Sequence, residues 1–164
     1  MEQFRLGRPE EADGIFAMYR AAAVRGRKNG SSAWDDDYPD LRTLQADLAQ
    51  GRLLVLEEGG AILACVSLLE SEEPETEGLS WTPARGCFPA RLCVDPDRQG
   101  EGLGERVMRH LADRARTEGL GSIRLLAAVA NPAANRLYER LGYRRTGLIT
   151  LYGLEFFGYE RLVR

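Results

Sequence analysis

Between an apolar run that ends at Val94 and a helical pattern that begins near Glu101, the chain places Asp95-Pro96-Asp97-Arg98-Gln99-Gly100-Glu101-Gly102-Leu103-Gly104. Three glycines between a strand end and a helix start favour anion binding. The first amides of a helix have no acceptor one turn back, and they lie at the positive end of its dipole. A diphosphate suits such a cradle, because glycine lets a ligand reach the backbone and tolerates positive φ. Two common nucleotide patterns do not fit. G-x-G-x-x-G begun at Gly102 would need glycine where Val107 stands, and a P-loop would need lysine where Glu105 follows Gly104. Taken alone, the loop reads either as a phosphate cradle or as a helix-capping turn.

The elements that must position this loop follow from periodicity. Phe4 and Leu6 suggest a short strand, and Ile15, Phe16, Met18, Tyr19, Ala22 and Ala23 recur at helical spacing from Pro9 or Glu10 to about Val24. A polar loop from Arg25 to Ser32 is expected next, and then a helix through Leu41, Leu44 and Leu48, capped by Asp40 and ended by Gly51. Leu53 to Leu56 and Ile62 to Leu69 read as a hairpin about Glu57-Glu58-Gly59-Gly60. The aperiodic stretch from Glu70 to Arg85 reads as an exposed excursion, and Arg91 to Val94 as a fourth strand. A helix from about Glu101 to Glu118 follows, then a strand from Ile123 to Val129 apolar enough to be covered on both faces. Asn131-Pro132 opens a helix ended by Gly142, and Arg144 to Thr146 and Phe156 to Leu162 supply closing strands. This order predicts a mixed α/β (α+β-like) fold in one domain, residues 1–164.

Composition narrows the partners. A formal net charge of -3 gives no general attraction to nucleic acid or anionic lipid, so any anion site must be local. Cys65, Cys87 and Cys93 are odd in number and form no Cys-x-x-Cys pair, so neither a disulfide framework nor a metal site is expected. The start Met1-Glu2-Gln3-Phe4-Arg5 lacks the apolar core of a signal peptide, and no later run is long enough to span a bilayer. A cytoplasmic protein without a membrane partner, monomer or homodimer, is the expectation.

Gln99, Gly102 and Gly104, after a Val-Asp-Pro strand end, match R/Q-x-x-G-x-G/A; Asn131-Pro132-Ala133-Ala134-Asn135-Arg136-Leu137-Tyr138-Glu139-Arg140-Leu141-Gly142-Tyr143 matches N-x-x-A-x-x-L-Y-x-x-x-G-F/Y. Here the chain resembles the GNAT family of N-acetyltransferases, specifically from about Leu92 to Tyr143. The resemblance implies that family's acyl-CoA N-acyltransferase fold, a mostly antiparallel central sheet with strands 4 and 5 splayed and helices flanking it. It also implies an acetyl-CoA cofactor and an enzyme that acetylates a primary amine of a small molecule or peptide by direct attack in a ternary complex.

The same resemblance assigns roles. Backbone groups of Leu92 and Val94 would hold the pantetheine amides, as an added strand does. Cys93 sits beside the cofactor but points away, as a small core residue. Amides from Gln99 through Gly100, Glu101, Gly102, Leu103 and Gly104 would hold the pyrophosphate; Arg98 reads either as a charge-assisted contact or as a solvated arginine. Asn131 reads as a pantetheine contact, a helix cap or both, and Asn135 and Tyr138 complete the cofactor side. Tyr138 is the catalytic candidate, because a hydroxyl near the departing sulfur donates a proton or a hydrogen bond. Relatives place a glutamate on the strand before the asparagine, where Leu125 to Val129 carry no acid. The base is then water, or one of Asp35, Asp36, Asp37 and Glu155. Trp34 and Tyr38 fall in the loop that covers the acceptor in this family, and Tyr152 and Phe157 near the far end. They read as aromatic walls for a cationic amine, or as residues that only pack that loop. A non-catalytic acyl-CoA-binding regulatory domain is the alternative.

Overall fold

The computed structural model describes residues 1–31, 33–69 and 78–163. The elements run β1 Glu2–Leu6, a 3-10 turn Pro9–Glu11, α1 Ala12–Lys28, α2 Leu41–Ala49, β2 Leu53–Glu58 and β3 Ala61–Leu69. They continue with β4 Gly86–Val94, a 3-10 turn Pro96–Arg98, α3 Leu103–Thr117, β5 Ser122–Ala128, α4 Pro132–Arg140, β6 Arg144–Leu151 and β7 Leu154–Leu162. The sheet order is β1-β2-β3-β4-β5-β7-β6. Its β4–β5 ladder is parallel and the others with a described register are antiparallel, as the mixed α/β expectation required. No helix among the described residues is long and apolar enough to cross a membrane.

The chain divides into two compact units, Met1–Leu68 with Arg91–Val107, and Leu69–Ala90 with Met108–Arg164. In the first, Ile15 and Tyr19 of α1, Leu44 and Leu48 of α2, and Leu53, Val55, Cys65 and Cys93 of the strands form one buried cluster. Burying each large aliphatic side chain there contributes about 1.5–3 kcal/mol. α1 continues through Arg25–Lys28, where a loop was expected. Arginine and lysine are good helix formers and suit the negative end of the helix dipole, which outweighs the lone Gly26. Asp40 caps α2 as its sequence predicts, its carboxylate accepting from the Thr43 amide at 2.8 Å.

Asp47 interrupts the apolar stripe of α2 and is 0% exposed. Its Oδ2 accepts from Ser67 Oγ at 2.6 Å and from Arg91 Nη2 at 2.7 Å and Nε at 3.2 Å. Arg52 Nη2 lies 3.0 Å from Oδ1, an ion pair without hydrogen-bond geometry. Arg91 needs this anchor, because its φ of 55° is a left-handed conformation that side-chain-bearing residues rarely adopt. Replacing Asp47 by alanine leaves a mostly buried guanidinium without its carboxylate, and chemical denaturation should show a loss of about 3–5 kcal/mol.

In the second unit β4 begins at Gly86, five residues before the expected start. Pro89 hid this part of the strand, since proline ordinarily argues against an internal strand position. The β4–β5 register comprises Gly86↔Ser122 and Cys87↔Ile123. Of the excursion expected between Glu70 and Arg85, residues 70–77 lie outside the described residues. The remainder keeps Gly78, Ser80, Pro83 and Arg85 exposed but is tethered: Arg124 donates to the carbonyls of Thr82 and Ala84, and Glu160 accepts from the Thr82 amide and hydroxyl. Polar groups distant in sequence hold it down, which periodicity cannot register.

Glu160 also accepts from Ser122 Oγ at 2.6 Å and Arg124 Nε at 3.1 Å. Burial opposes its charge, but these hydrogen bonds outweigh burial and hold its pKa below the usual carboxylate value. A lowered folded-state pKa stabilises the fold above the unfolded value near ~4.3, and that contribution is lost as pH falls through the folded value. Denaturant melts at pH 7 and pH 3 should therefore show Glu160→Gln less stable at neutral pH and with a shallower acid loss than the parent.

Candidate functional site

The glycine loop lies in the first unit. Asp95 accepts from the Asp97 amide at 3.0 Å and so starts the 3-10 turn that ends β4. Gln99 is extended, and Gly100 and Gly102 take φ of 88° and 75°. A Cβ added at either would meet nothing within 4 Å. Glycine is thus required here for conformation, and the space above both residues is open. The Arg106 amide bonds back to the Gly102 carbonyl at 3.0 Å. The amides of Leu103 and Gly104 precede it in the first turn of α3 and have no intrahelical acceptor. Open space, left-handed glycines and helix-start amides together fit a diphosphate.

Arg98 does not reach outward alone. Its Nε donates to Glu101 Oε2 at 2.9 Å and Oε1 at 3.0 Å, and this pairing lowers the Glu101 pKa. The pair offsets the one acidic side chain in the cradle. On β4, Leu92 and Val94 are half-buried and flank buried Cys93. The Cys93 thiol turns to the core, 3.8 Å from the Met18 carbonyl, and the neighbouring Cys65 thiol and burial push its pKa well up. A thiol so held is not a nucleophile at neutral pH.

α4, in the second unit, carries the second motif. Asn131 caps it, accepting from the Ala134 amide at 3.2 Å. Asn135 turns inward: its Nδ2 donates to the carbonyls of Asn131 at 2.8 Å and Ala128 at 3.0 Å, and its Oδ1 accepts from the Tyr159 hydroxyl at 2.7 Å. Its side chain ties the β5–α4 turn to β7. Tyr138 packs between Tyr143 and Tyr159, with ring centroids 5.6 and 5.7 Å away. Tyr138 is 6% exposed, yet its hydroxyl is not among the buried oxygens left without a partner. It makes no hydrogen bond among the described residues. Burial, with the neighbouring Tyr159, raises its pKa above the ordinary phenol value. The hydroxyl is accordingly a proton holder and donor at neutral pH.

The expected acceptor residues divide by environment. Trp34 packs edge-on against buried Tyr19 at 5.4 Å. Tyr38 is exposed; burial opposes the charge of Arg91, but Tyr38 and Asp47 raise its pKa. Asp35 Oδ1 accepts from the amides of Asp37 and Tyr38, and Asp36 pairs with Arg20 at 2.9 Å and Arg27 at 3.1 Å. Those two carboxylates hold the loop. In the second unit Tyr152 sits on the β6–β7 turn at a φ of 52° and is 89% exposed. Phe157 lies beneath Arg145, whose guanidinium carbon is 3.9 Å from the ring centroid while its Nε donates to the Tyr159 hydroxyl. Sequence reading missed Asp47 and Arg145. The signal for Asp47 was an acid three residues after Leu44 on an apolar stripe; Arg145 had none. Among the described residues no group of three or more His, Cys, Asp or Glu is placed to hold a metal.

Residues 15–143 match the family described as Acetyltransferase (GNAT) family. L-methionine sulfoximine/L-methionine sulfone acetyltransferase of Pseudomonas paraeruginosa is 28% identical over 152 residues, covering 87% of this chain and 80% of that protein. The ribosomal protein bS18-alanine N-acetyltransferase of Salmonella typhimurium is 36% identical over 69 residues, 42% of this chain. That match spans only 47% of the relative's own length. A GNAT-family acetyltransferase structure from Streptococcus agalactiae superposes with a TM-score of 0.89 at 22% identity, covering 99% of this chain and 96% of that one. The proposed acetyltransferase yncA of Salmonella typhimurium, solved with its cofactor acetyl-CoA, gives 0.71 at 21% identity, covering 100% and 95%.

Proposed function

The chain belongs to the GNAT acetyltransferase family, and from that premise we propose that residues 1–164 act as one N-acetyltransferase domain using acetyl-CoA. The acceptor is a primary amine of a small molecule or peptide. A cytoplasmic location and a monomer or homodimer complete the reading. The observation that carries it is the start of α3, where Gly100 and Gly102 at positive φ leave open space. Bound there, acetyl-CoA supplies a thioester carbonyl for attack and a thiolate as leaving group.

The chain's own residues then do the following. Amides at the start of α3 bind the diphosphate, and the backbone of Leu92 and Val94 orients the pantetheine arm. Tyr138 holds a proton at its hydroxyl and presents it to the departing sulfur. Because burial lifts the phenol further above the thiol value of ~8.5, hydrogen bonding to the thiolate outweighs full proton transfer. No residue from Leu125 to Ala128 is acidic, so the amine loses its proton to water or to a carboxylate elsewhere. Thiol release from acetyl-CoA, measured over polyamines, aminoglycosides, amino acids and peptide amino termini, tests the reading. Turnover with one amine class is the expected result; coenzyme binding without release from any acceptor would make the domain a binder.

A further inference from the structure

α3, α4 and β7 enclose a groove of about 340 Å³ whose lining includes Arg109, Asp113, Arg116, Arg140 and Arg161. Its charge is unlike that of the whole chain, which is -3. Four arginines line it with a single acidic residue, Asp113, which is paired with Arg116 at 3.0 Å. Arg140 and Arg161 make no ion pair among the described residues. Like charges around one cavity repel, and a bound anion relieves that repulsion.

The volume lies at the small end of the range for small-molecule sites. Guanidinium forks match phosphate oxygens two at a time, and several forks favour a ligand with more than one negative charge. Arg161, half-buried at the end of β7, lines the groove beside Leu141 and Arg140. From this juxtaposition we propose that the groove lined by Arg109, Arg116, Arg140 and Arg161 is a second anion site, which takes a small phosphate-bearing ligand. Its residues lie outside the glycine loop, and the proposal does not depend on acetyl transfer.

Calorimetric titration with inorganic pyrophosphate tests it on the full chain. Wild type and Gly102→Val, altered only in the loop, should bind at the groove with equal affinity. The double variant Arg140→Ala/Arg161→Ala should bind at least tenfold more weakly, with an unchanged melting temperature showing that it folds. Should the double variant not fold, Arg140→Ala alone, at an exposed position, should weaken binding about threefold. ATP as a second probe separates the sources: tighter binding assigns a nucleotide, equal binding the phosphate groups alone, and both support the site. No pyrophosphate uptake by wild type, undiminished affinity in the arginine variants, or loss in Gly102→Val instead would overturn it.

Discussion

Replacing Gly102 by valine should weaken acetyl-CoA binding about 100-fold while the protein stays folded. Gly102 adopts a φ of 75°, and a β-branched residue held there carries about 1–3 kcal/mol of strain. That strain alone corresponds to roughly 5–150-fold in affinity if it is relieved by leaving the binding conformation. The new side chain would also project into the open space that fits the diphosphate, since a Cβ at this position meets nothing within 4 Å. Nothing of the core packs there, so the melting temperature should change little. Calorimetry with coenzyme A and with acetyl-CoA reads the effect. A dissociation constant within threefold of the parent would remove this loop from cofactor binding.

Tyr138→Phe should lower kcat by about 10²–10⁴ and leave the acetyl-CoA dissociation constant unchanged. The ring stays in place, because Tyr143 and Tyr159 pack on it at centroid distances of 5.6 and 5.7 Å and neither contact uses its hydroxyl. Its hydroxyl makes no hydrogen bond among the described residues, so the substitution strands no buried partner. The stability cost should be no more than about 1 kcal/mol. A structural role would appear as lost stability, whereas a role at the departing sulfur appears as lost turnover. Steady-state kinetics and a thermal melt on the same preparation separate them, and turnover within twofold of the parent excludes the phenol from the reaction.

The loop between β4 and α3 was legible because its information is local. Glycine spacing, a strand stop and a helix start lie within eleven consecutive residues, and Gly100 and Gly102 adopt the positive φ that such a turn calls for. The Asp40 and Asn131 caps and the β2–β3 hairpin were readable for the same reason. Asn135 shows the limit. Its motif marks it as a site residue, yet only the tertiary structure shows its side chain locked onto Ala128, Asn131 and Tyr159.

By itself, then, the sequence determined the element order, the glycine turn before α3 and the family signature, since each depends on residues a few positions apart. Tertiary structure decided which charges are buried together. Asp47 meets Arg91 across 44 positions and Arg124 meets Glu160 across 36, and the arginine groove draws on two helices and a strand. Whether a charged side chain is solvated or buried against a partner depends on what the fold brings beside it, and neither periodicity nor propensity contains that information.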